Sequence, residues 1–178
     1  MITDKFIREL EEIVGKAHVS VSRANTELYS YDASLARGKP GVVVFPGDSR
    51  ETARIVRAAH RAGIPFVPRG FGTNLSGGTI VTVEGLVVCL SRLNRILGIH
   101  PEGRYAVAQP GVTNLELQDA LATIGFFYAP DPASQKVSTL GGNAGENSGG
   151  PRCLKYGVTT NHILGMEMIM PDGEVILN

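Results

Sequence analysis

The residues with the clearest chemical potential lie at positions 68–79, which read PRGFGTNLSGGT and include four glycines. Glycine lets a backbone adopt positive φ and lets another group approach closely, because it has no Cβ. Successive N–H groups in such a loop can line a concavity that binds an anion. Thr73, Asn74 and Ser76 would add donors and Arg69 a positive charge. With about 1.5–3 kcal/mol for each hydrogen bond to a charged group, four or five could hold a diphosphate without a metal.

Two common nucleotide-binding patterns do not fit this loop. The dinucleotide fingerprint G-x-G-x-x-G fails because Leu75 occupies the third glycine position and no helical pattern follows. The triphosphate pattern G-x-x-x-x-G-K-[ST] fails because Gly78 stands where the lysine is required. The remaining interpretation is a loop that holds a phosphodiester pair without cleaving it. The alternative, from this loop alone, is a mobile surface loop beside a buried structural arginine.

A second glycine-rich segment, GGNAGENSGG, occupies positions 141–150. Asn143, Glu146, Asn147 and Ser148 could hydrogen-bond to the edge of a heteroaromatic ring, while the glycines let the backbone lie against its face. Two separate backbone cradles indicate a long ligand with a phosphate middle and a ring at one end. A dinucleotide has this form.

The first half of the chain predicts a β–α–β unit that ends at the first glycine loop. Apolar spacing predicts a helix over residues 3–16, and GVVVF at 41–45 predicts a buried strand. Asp48 and Glu51 have capping-box spacing at the start of a helix over 51–63. The strand IPFVPRG then leads into the loop, where ligands of open α/β sheets usually bind.

The second half predicts a more antiparallel arrangement. Three short apolar segments joined by short turns are expected to pair antiparallel: 86–90, 95–100 and 104–110. Thr113 and Glu116 predict another capped helix, closed by Gly125, and a PDG turn predicts a final hairpin. The predicted fold class is therefore α+β, with a small parallel α/β lobe over about residues 1–85 and a mainly antiparallel lobe over about residues 86–178.

Composition excludes several function classes. The 17 basic and 17 acidic residues give zero net charge without a basic stripe, which argues against nucleic-acid binding. Two cysteines make neither a disulfide framework nor a zinc site; Cys89 is expected in the core. No segment has the length of a membrane span, and the charged N-terminus lacks the features of a signal peptide. We expect a cytoplasmic protein, with docking on a membrane-bound partner left open.

Five motifs together resemble a known family. PRGFGTNLSGGT, PGV (110–112), DPAS (131–134), GGNAGENSGG and CLKYG (153–157) resemble the FAD-binding PCMH-type domain of the vanillyl-alcohol-oxidase superfamily. Within it the motifs are most similar to the glycolate oxidase flavin subunit and D-lactate dehydrogenase branch. The resemblance runs from about residue 40 to 178 in the same motif order. It implies that the cofactor is FAD.

The resemblance also implies which residues contact FAD. Those around the pyrophosphate are Arg69, Gly70, Phe71, Gly72, Thr73, Asn74, Leu75 and Ser76. Pro110 and Gly111 lie beside the cofactor, and Asp131, Pro132 and Ser134 begin a second cofactor segment. Those along the ribityl chain and isoalloxazine are Gly141, Gly142, Asn143, Asn147 and Gly150. Tyr156, Gly157 and Ile169 complete the site near the adenine.

Two departures from the family pattern affect the chemistry. Thr73 stands where some relatives carry a histidine that binds flavin covalently, so noncovalent FAD is expected. The four histidines lie outside both glycine segments; His60 is expected as a solvated helix-end residue and His162 as a packing residue. Glu146 is expected either at the ring edge or supporting a residue that contacts the ring. No residue is therefore assigned as a proton-transfer catalyst or metal ligand.

The resemblance implies a function for a longer protein. That protein would oxidise a D-2-hydroxy acid such as glycolate or D-lactate by hydride transfer to flavin N5. Family members continue into a substrate domain that is absent here, so the second lobe is expected to be incomplete and this chain alone inactive. Partner subunits and an unidentified electron acceptor are expected. An unpaired sheet edge should bring marginal stability or self-association.

Two other interpretations stay open. One is another flavin branch, such as an alkyldihydroxyacetone-phosphate synthase-like or UDP-N-acetylmuramate dehydrogenase-like enzyme. The other is a noncatalytic FAD-binding module that works only with a separate chain.

Overall fold

The computed structural model describes residues 2–178, which form two compact units. The first unit contains the chain up to Arg92 together with Gly165–Asn178, and the second contains Leu93–Leu164. Among the described residues, no helix is both long enough and apolar enough to cross a bilayer.

The first unit contains three helices, a four-stranded sheet and a terminal hairpin. Its helices are α1 (Asp4–Val14), α2 (Arg23–Glu27) and α3 (Ser49–Arg61). Its sheet strands are β1 (Val19–Ser20), β2 (Lys39–Val44), β3 (Phe66–Arg69) and β4 (Glu84–Cys89), in the spatial order β1-β2-β4-β3. The strands β2, β4 and β3 are parallel, and β1 is antiparallel to β2.

The second unit has a two-stranded antiparallel sheet and three short helices. The strands are β5 (Ile96–His100) and β6 (Tyr105–Ala108), and the helices are α4 (Asn114–Ala122), α5 (Leu140–Glu146) and α6 (Cys153–Tyr156). The chain then returns to the first unit as the hairpin β7 (Glu167–Ile169) and β8 (Val175–Leu177). A guanidinium N–H of Arg57 in α3 donates to the Gly173 carbonyl of this hairpin at 2.9 Å.

The α+β fold class, the β–α–β order, the two long helices of the first unit, the β5–β6 pair and the terminal hairpin are confirmed. One strand prediction is wrong. Residues 86–90 were expected in an antiparallel group, whereas β4 lies between β2 and β3 and runs parallel to both. Leu86, Val87 and Val88 are almost fully buried. A strand covered on both faces has a continuous apolar sequence, which does not reveal its direction.

The placement of β4 also moves the division between the units. The expected division near residue 85 differs from the observed one, which follows Arg92. Because β4 is an inner strand of the first sheet, it belongs to the first unit. Residues 165–178 belong there too, since their hairpin packs on α3.

Alternating residues of the sheet divide the core of the first unit into two layers. Val42, Val44 and Ile55 belong to a layer that includes apolar residues of α1 and α3. Val43 and Val87 face the other way and join Cys89, which is buried as expected, against Tyr29 and other partly buried residues. The two-residue period of a strand accounts for this alternation.

Side chains cap the helices largely as the sequence predicts. A carboxylate oxygen of Asp48 accepts from the Glu51 N–H at 2.7 Å and begins α3. The Glu51 carboxylate accepts from the Gly47 N–H at 2.6 Å, one residue before the cap. Thr113 and Glu116 form the predicted reciprocal capping box at the start of α4.

We expect Asp48→Ala to lower the free energy of unfolding by about 1 kcal/mol, because the substitution removes the side-chain acceptor at the start of α3. Urea denaturation measures this change. Asp48→Asn is the matched control and should lie within a few tenths of a kcal/mol of the parent protein, since asparagine caps as well as aspartate. Equal losses for the two variants would contradict a capping role for Asp48.

Candidate functional site

The first glycine loop connects two neighbouring parallel strands. Residues 70–83 run from the end of β3 to the start of β4 and contain no helix. Gly72 lies in the loop with φ +70°, and its carbonyl accepts from the Ala33 N–H at 3.1 Å. A Cβ on Gly72 would overlap the guanidinium of Arg69. Glycine is therefore required here both for conformation and for space.

Arg69 lies beneath this loop, with only 6% of its surface exposed. Its guanidinium donates to the Tyr31 carbonyl at 2.8 Å and to the Thr79 hydroxyl at 3.2 Å, and it lies over the Tyr29 ring. Burial lowers the pKa of this guanidinium, and the neighbouring Cys89 and Asp32 oppose that effect. The observed contacts of Arg69 are thus with the protein itself, as a structural arginine would make.

Asp32 is the buried acidic partner of the loop, at 8% exposure. One carboxylate oxygen accepts from the Ser34 N–H at 2.8 Å. The other accepts from the Asn74 side-chain amide at 2.7 Å and lies 3.4 Å from the Thr79 hydroxyl. Burial alone would raise the pKa of Asp32, but the hydrogen bonds from Ser34, Asn74 and Thr79 outweigh it and hold the pKa below its ordinary value.

Among the described residues, the loop also contains main-chain amides that have no acceptor in their own unit. The Asn74 side-chain amide, predicted to donate to a ligand, points to Asp32 and Ser76. The Ser76 hydroxyl accepts from the Gly78 N–H at 3.3 Å. Within the described residues of their own unit, no acceptor meets the N–H groups of Thr73, Asn74 or Leu75. Successive N–H groups in a turn can line an anion-binding concavity, so these three amides are candidates for such a site.

The second glycine segment differs from its predicted form. Residues 141–150 were expected to offer bare backbone donors, but α5 occupies Leu140–Glu146, with Thr139 as its N-cap. The N–H groups of Leu140 and Gly141 donate to Val112 and Pro110 at 2.8 and 2.9 Å. The Gly142 N–H donates to the Thr139 hydroxyl, and the Asn143 N–H donates to the Thr139 carbonyl. The amides of Gly141, Gly142 and Asn143 in the predicted segment therefore have acceptors within the protein.

Asn143 has the most unusual environment among the predicted site residues of the second unit. It is only 2% exposed, and its side-chain nitrogen has no hydrogen-bond partner among the described residues. An unpaired buried amide costs free energy of about 1–3 kcal/mol. Buried polar groups are normally paired, so this donor fits a role toward a ligand.

The structure brings several predicted residues of the second unit together in pairs. The Gly141 N–H bonds to Pro110, and Gly111 donates to the Leu93 carbonyl at 2.7 Å. A Cβ on Gly150 would overlap the main chain of Asp131. The Asp131 carboxylate also forms an ion pair with Arg152 at 3.2 Å. The close approach of neighbouring protein atoms therefore explains why residues 141 and 150 are glycine, without any need for a ligand.

The remaining predicted residues have contacts within their own unit. Pro132 and Ser134 form a turn in which their carbonyls accept from the N–H groups of Gln135, Val137 and Ser138. Asn147 ends α5 with φ +50°, and its side-chain oxygen accepts from the Thr160 N–H at 3.1 Å. Tyr156 packs edge-on against the Phe127 ring.

Gly157 closes α6 by donating to the Cys153 carbonyl. Ile169 lies in β7, in the first unit, whereas Gly157 lies in the second. As expected, His60 is exposed at the end of α3. The Nε2 atom of His162 lies 2.9 Å from the Tyr156 carbonyl, a hydrogen-bond distance within the protein.

The sequence interpretation missed Asp32 and the supporting role of Thr79. Asp32 lies in YSYDAS, a segment without glycine clustering or a periodic pattern. The available signal was an acidic residue among aromatic residues, close in sequence to a polar turn. That signal does not specify a partner more than forty positions away, because only the fold brings the two segments together.

Comparison with known proteins identifies the family. The model described as "FAD binding domain" matches residues 40–177. The chain belongs to the FAD-binding domain family. The predicted resemblance to FAD-binding PCMH-type domains is thereby confirmed, and FAD is the cofactor of the family.

Two curated relatives of this FAD-binding domain are oxidoreductases. "Glycolate oxidase subunit GlcD" of Bacillus subtilis (strain 168) is 42% identical over 177 residues, covering 99% of this chain and 38% of the relative. "D-lactate dehydrogenase" of Anaerostipes hadrus is 33% identical over 177 residues, covering 98% of this chain and 37% of the relative. The chain therefore spans well under half the length of these relatives.

A solved structure supports the fold of the domain. The chain superposes on "alkyldihydroxyacetonephosphate synthase in P1" with a TM-score of 0.89 and 24% sequence identity, covering 100% of this chain and 38% of that one. At that identity the likeness concerns the fold alone.

We expect Gly72→Ala to destabilise the FAD-binding domain more than Gly63→Ala. Both glycines have positive φ, at +70° and +60°, so alanine adds backbone strain of about 1–2 kcal/mol at either site. At Gly63 a Cβ meets nothing within 4 Å, whereas at Gly72 it must displace the Arg69 guanidinium. The extra overlap should cost a further ~1–3 kcal/mol. Urea unfolding of both variants measures the difference, and equal losses would contradict the close packing beneath Gly72.

Proposed function

We propose that this chain is the FAD-binding part of an oxidoreductase that acts on a D-2-hydroxy acid such as glycolate or D-lactate. Residues 1–178 would form one FAD-binding PCMH-type domain, and FAD would be held noncovalently. The observation that carries the proposal is the row of main-chain N–H groups at Thr73, Asn74 and Leu75 without acceptors in their own unit. The relatives named glycolate oxidase subunit and D-lactate dehydrogenase support the choice of substrate class.

The loop fits a diphosphate better than it fits a metal-bound triphosphate. Its backbone donors are neutral amides, and its one cation, Arg69, is buried with its guanidinium bonded to Tyr31 and Thr79. Each amide bond to a charged oxygen contributes about 1.5–3 kcal/mol. A fixed loop presents these donors without the entropy cost of ordering side chains. Its polar side chains, meanwhile, fix the loop from the protein side.

Asn143 is proposed to donate its unpaired side-chain N–H to the flavin portion of FAD. The amide is buried and lacks a partner among the described residues, so a ligand acceptor would remove an existing cost. Thr73 in the first loop supports noncovalent attachment, since a threonine hydroxyl is a far weaker nucleophile than an imidazole. The other predicted contacts, including Tyr156, Gly157 and Ile169, remain proposals of the same kind.

When bound, FAD would supply the redox chemistry of hydroxy-acid oxidation as the hydride acceptor. The residues of this chain bind and orient the cofactor; we assign none of them to proton transfer. The remaining segment found in the relatives would bind the hydroxy acid and provide the base. We further propose partner subunits that pass electrons to an acceptor, as the relative named a subunit suggests. The location we propose is the cytoplasm.

We expect Asn143→Leu to raise the dissociation constant for FAD about five- to tenfold, because one hydrogen bond of about 1–1.4 kcal/mol is lost. Leucine has nearly the shape of asparagine and leaves no unpaired donor. The free energy of unfolding of the FAD-free protein should therefore stay the same or rise. Quenching of flavin fluorescence gives the dissociation constant, and urea denaturation gives the stability.

His60→Ala is the control for this experiment, since the side chain is exposed at a helix end; it should leave FAD affinity unchanged. Equal affinity of the Asn143→Leu variant and the parent protein would remove Asn143 from the proposed site. Failure of the parent protein to bind FAD at all would refute the proposed function.

The substrate proposal is tested by anaerobic addition of glycolate or D-lactate to FAD-loaded protein. We expect the flavin absorption band at about 450 nm to bleach when this chain is fused to the remaining residues of the Bacillus subtilis relative. The chain alone should not bleach, because it lacks an assigned base. L-Lactate is the control for the D configuration. Binding of FAD without bleaching by glycolate or D-lactate in the fused protein would instead favour a different flavin branch or a noncatalytic module.

A further inference from the structure

We propose that Asp32 is a positioning residue that holds the first glycine loop in the conformation in which its main-chain N–H groups face a diphosphate. This inference rests on the proposed function for the identity of the ligand. It adds a residue from outside both glycine segments to the FAD site. Asp32 does not contact the cofactor in this proposal; it acts through Asn74 and Thr79.

The geometry connects two parts of the chain through one carboxylate. One oxygen of Asp32 fixes its own turn by accepting from the Ser34 N–H. The other oxygen accepts from Asn74, which lies in the middle of the glycine loop, and lies near the hydroxyl of Thr79 at its end. The backbone bond from Ala33 to the Gly72 carbonyl lies beside these contacts. Asp32 therefore meets two points of the loop, Asn74 and Thr79, while the neighbouring Ala33 N–H holds a third, the Gly72 carbonyl.

A carboxylate suits this position better than its neutral amide. One Asp32 oxygen accepts from the Asn74 side-chain N–H at 2.7 Å, and it lies 3.4 Å from the Thr79 hydroxyl, whose single proton has a second acceptor in the Asn74 side-chain oxygen at 3.2 Å. An asparagine could keep the bond from Ser34, but it would turn an N–H toward the Asn74 amide. Two facing donors repel and leave a buried polar group unpaired. The sequence needs aspartate here for its acceptor capacity.

The charge of Asp32 cannot itself attract the ligand. A carboxylate beneath a diphosphate-binding loop repels the phosphates by Coulomb's law. The buried Arg69 offsets that repulsion, since both groups meet the Thr79 hydroxyl. Two roles for Asp32 therefore predict opposite effects of removing its charge. If only repulsion mattered, Asp32→Asn would tighten FAD binding; if positioning matters, the same change weakens it.

The test compares Asp32→Asn with the parent chain in two measurements. The first is amide hydrogen exchange of the FAD-free protein at Ala33 and Ile80, whose N–H groups bond to the Gly72 and Gly77 carbonyls. We expect exchange about tenfold faster at both amides, with little change at Val87 in the centre of β4. The second is the dissociation constant for FAD, which we expect to rise about tenfold.

Two further variants separate positioning from general destabilisation. Asp48→Ala removes a helix cap in the same unit, so it should lower stability without changing FAD affinity or the exchange of Ala33 and Ile80. The double variant Asp32→Asn/Asn74→Asp reverses donor and acceptor, so protection at the two amides should return.

Unchanged exchange in Asp32→Asn, or tighter FAD binding, would overturn the positioning role. Because exchange is measured without FAD, the loop-ordering result stands apart from the proposed function. A parent chain that does not bind FAD would refute the function, while the exchange data would still decide what Asp32 does to the loop.

Discussion

The buried hydrogen bonds beneath the first glycine loop are the constraint on which the proposed site depends. Arg69 and Asp32 would each be costly to bury alone, but the Thr79 hydroxyl connects them and further bonds satisfy both groups. The side chains of Asn74 and Thr79 point toward this network, and the main-chain amides of Thr73, Asn74 and Leu75 meet no acceptor among the described residues of their unit. These amides are the groups that we propose bind the ligand.

The two glycine-rich segments use glycine in different ways. In the first, Gly72 provides positive φ and room for the Arg69 guanidinium. In the second, Gly141 lies against Pro110 and Gly150 against Asp131, while residues between them form a short helix with an asparagine at its left-handed end. Similar composition thus supports a donor-lined loop in one unit and close packing in the other.

Local signals in the sequence predicted the elements better than their arrangement. The caps at Asp48 and Thr113 specify helix starts because the chemistry lies within four residues. The predicted antiparallel direction of β4 was wrong because a fully buried strand has no alternation of apolar and polar residues that would indicate its neighbours. The first loop was located by its glycines, but the Asp32 support was missed because its partners are distant in sequence. Asn143 was chosen from the family motif; its unpaired amide is visible only in three dimensions.

The helix-free connection between β3 and β4 sets a lower limit on the length of the loop. In a hairpin, the ends to be joined are adjacent, so residues can be deleted from the tip. Here β3 and β4 are parallel, so residues 70–83 must return the chain from the end of β3 to the level of its start. That distance is about 13 Å, the length of the four paired residues of β3. Residues 70–83 could span well over this distance, so the hydrogen bonds made by Gly72, Asn74 and Thr79 limit the length of the loop more than reach does. Variation among related domains should accordingly change residue types in this loop more freely than its length.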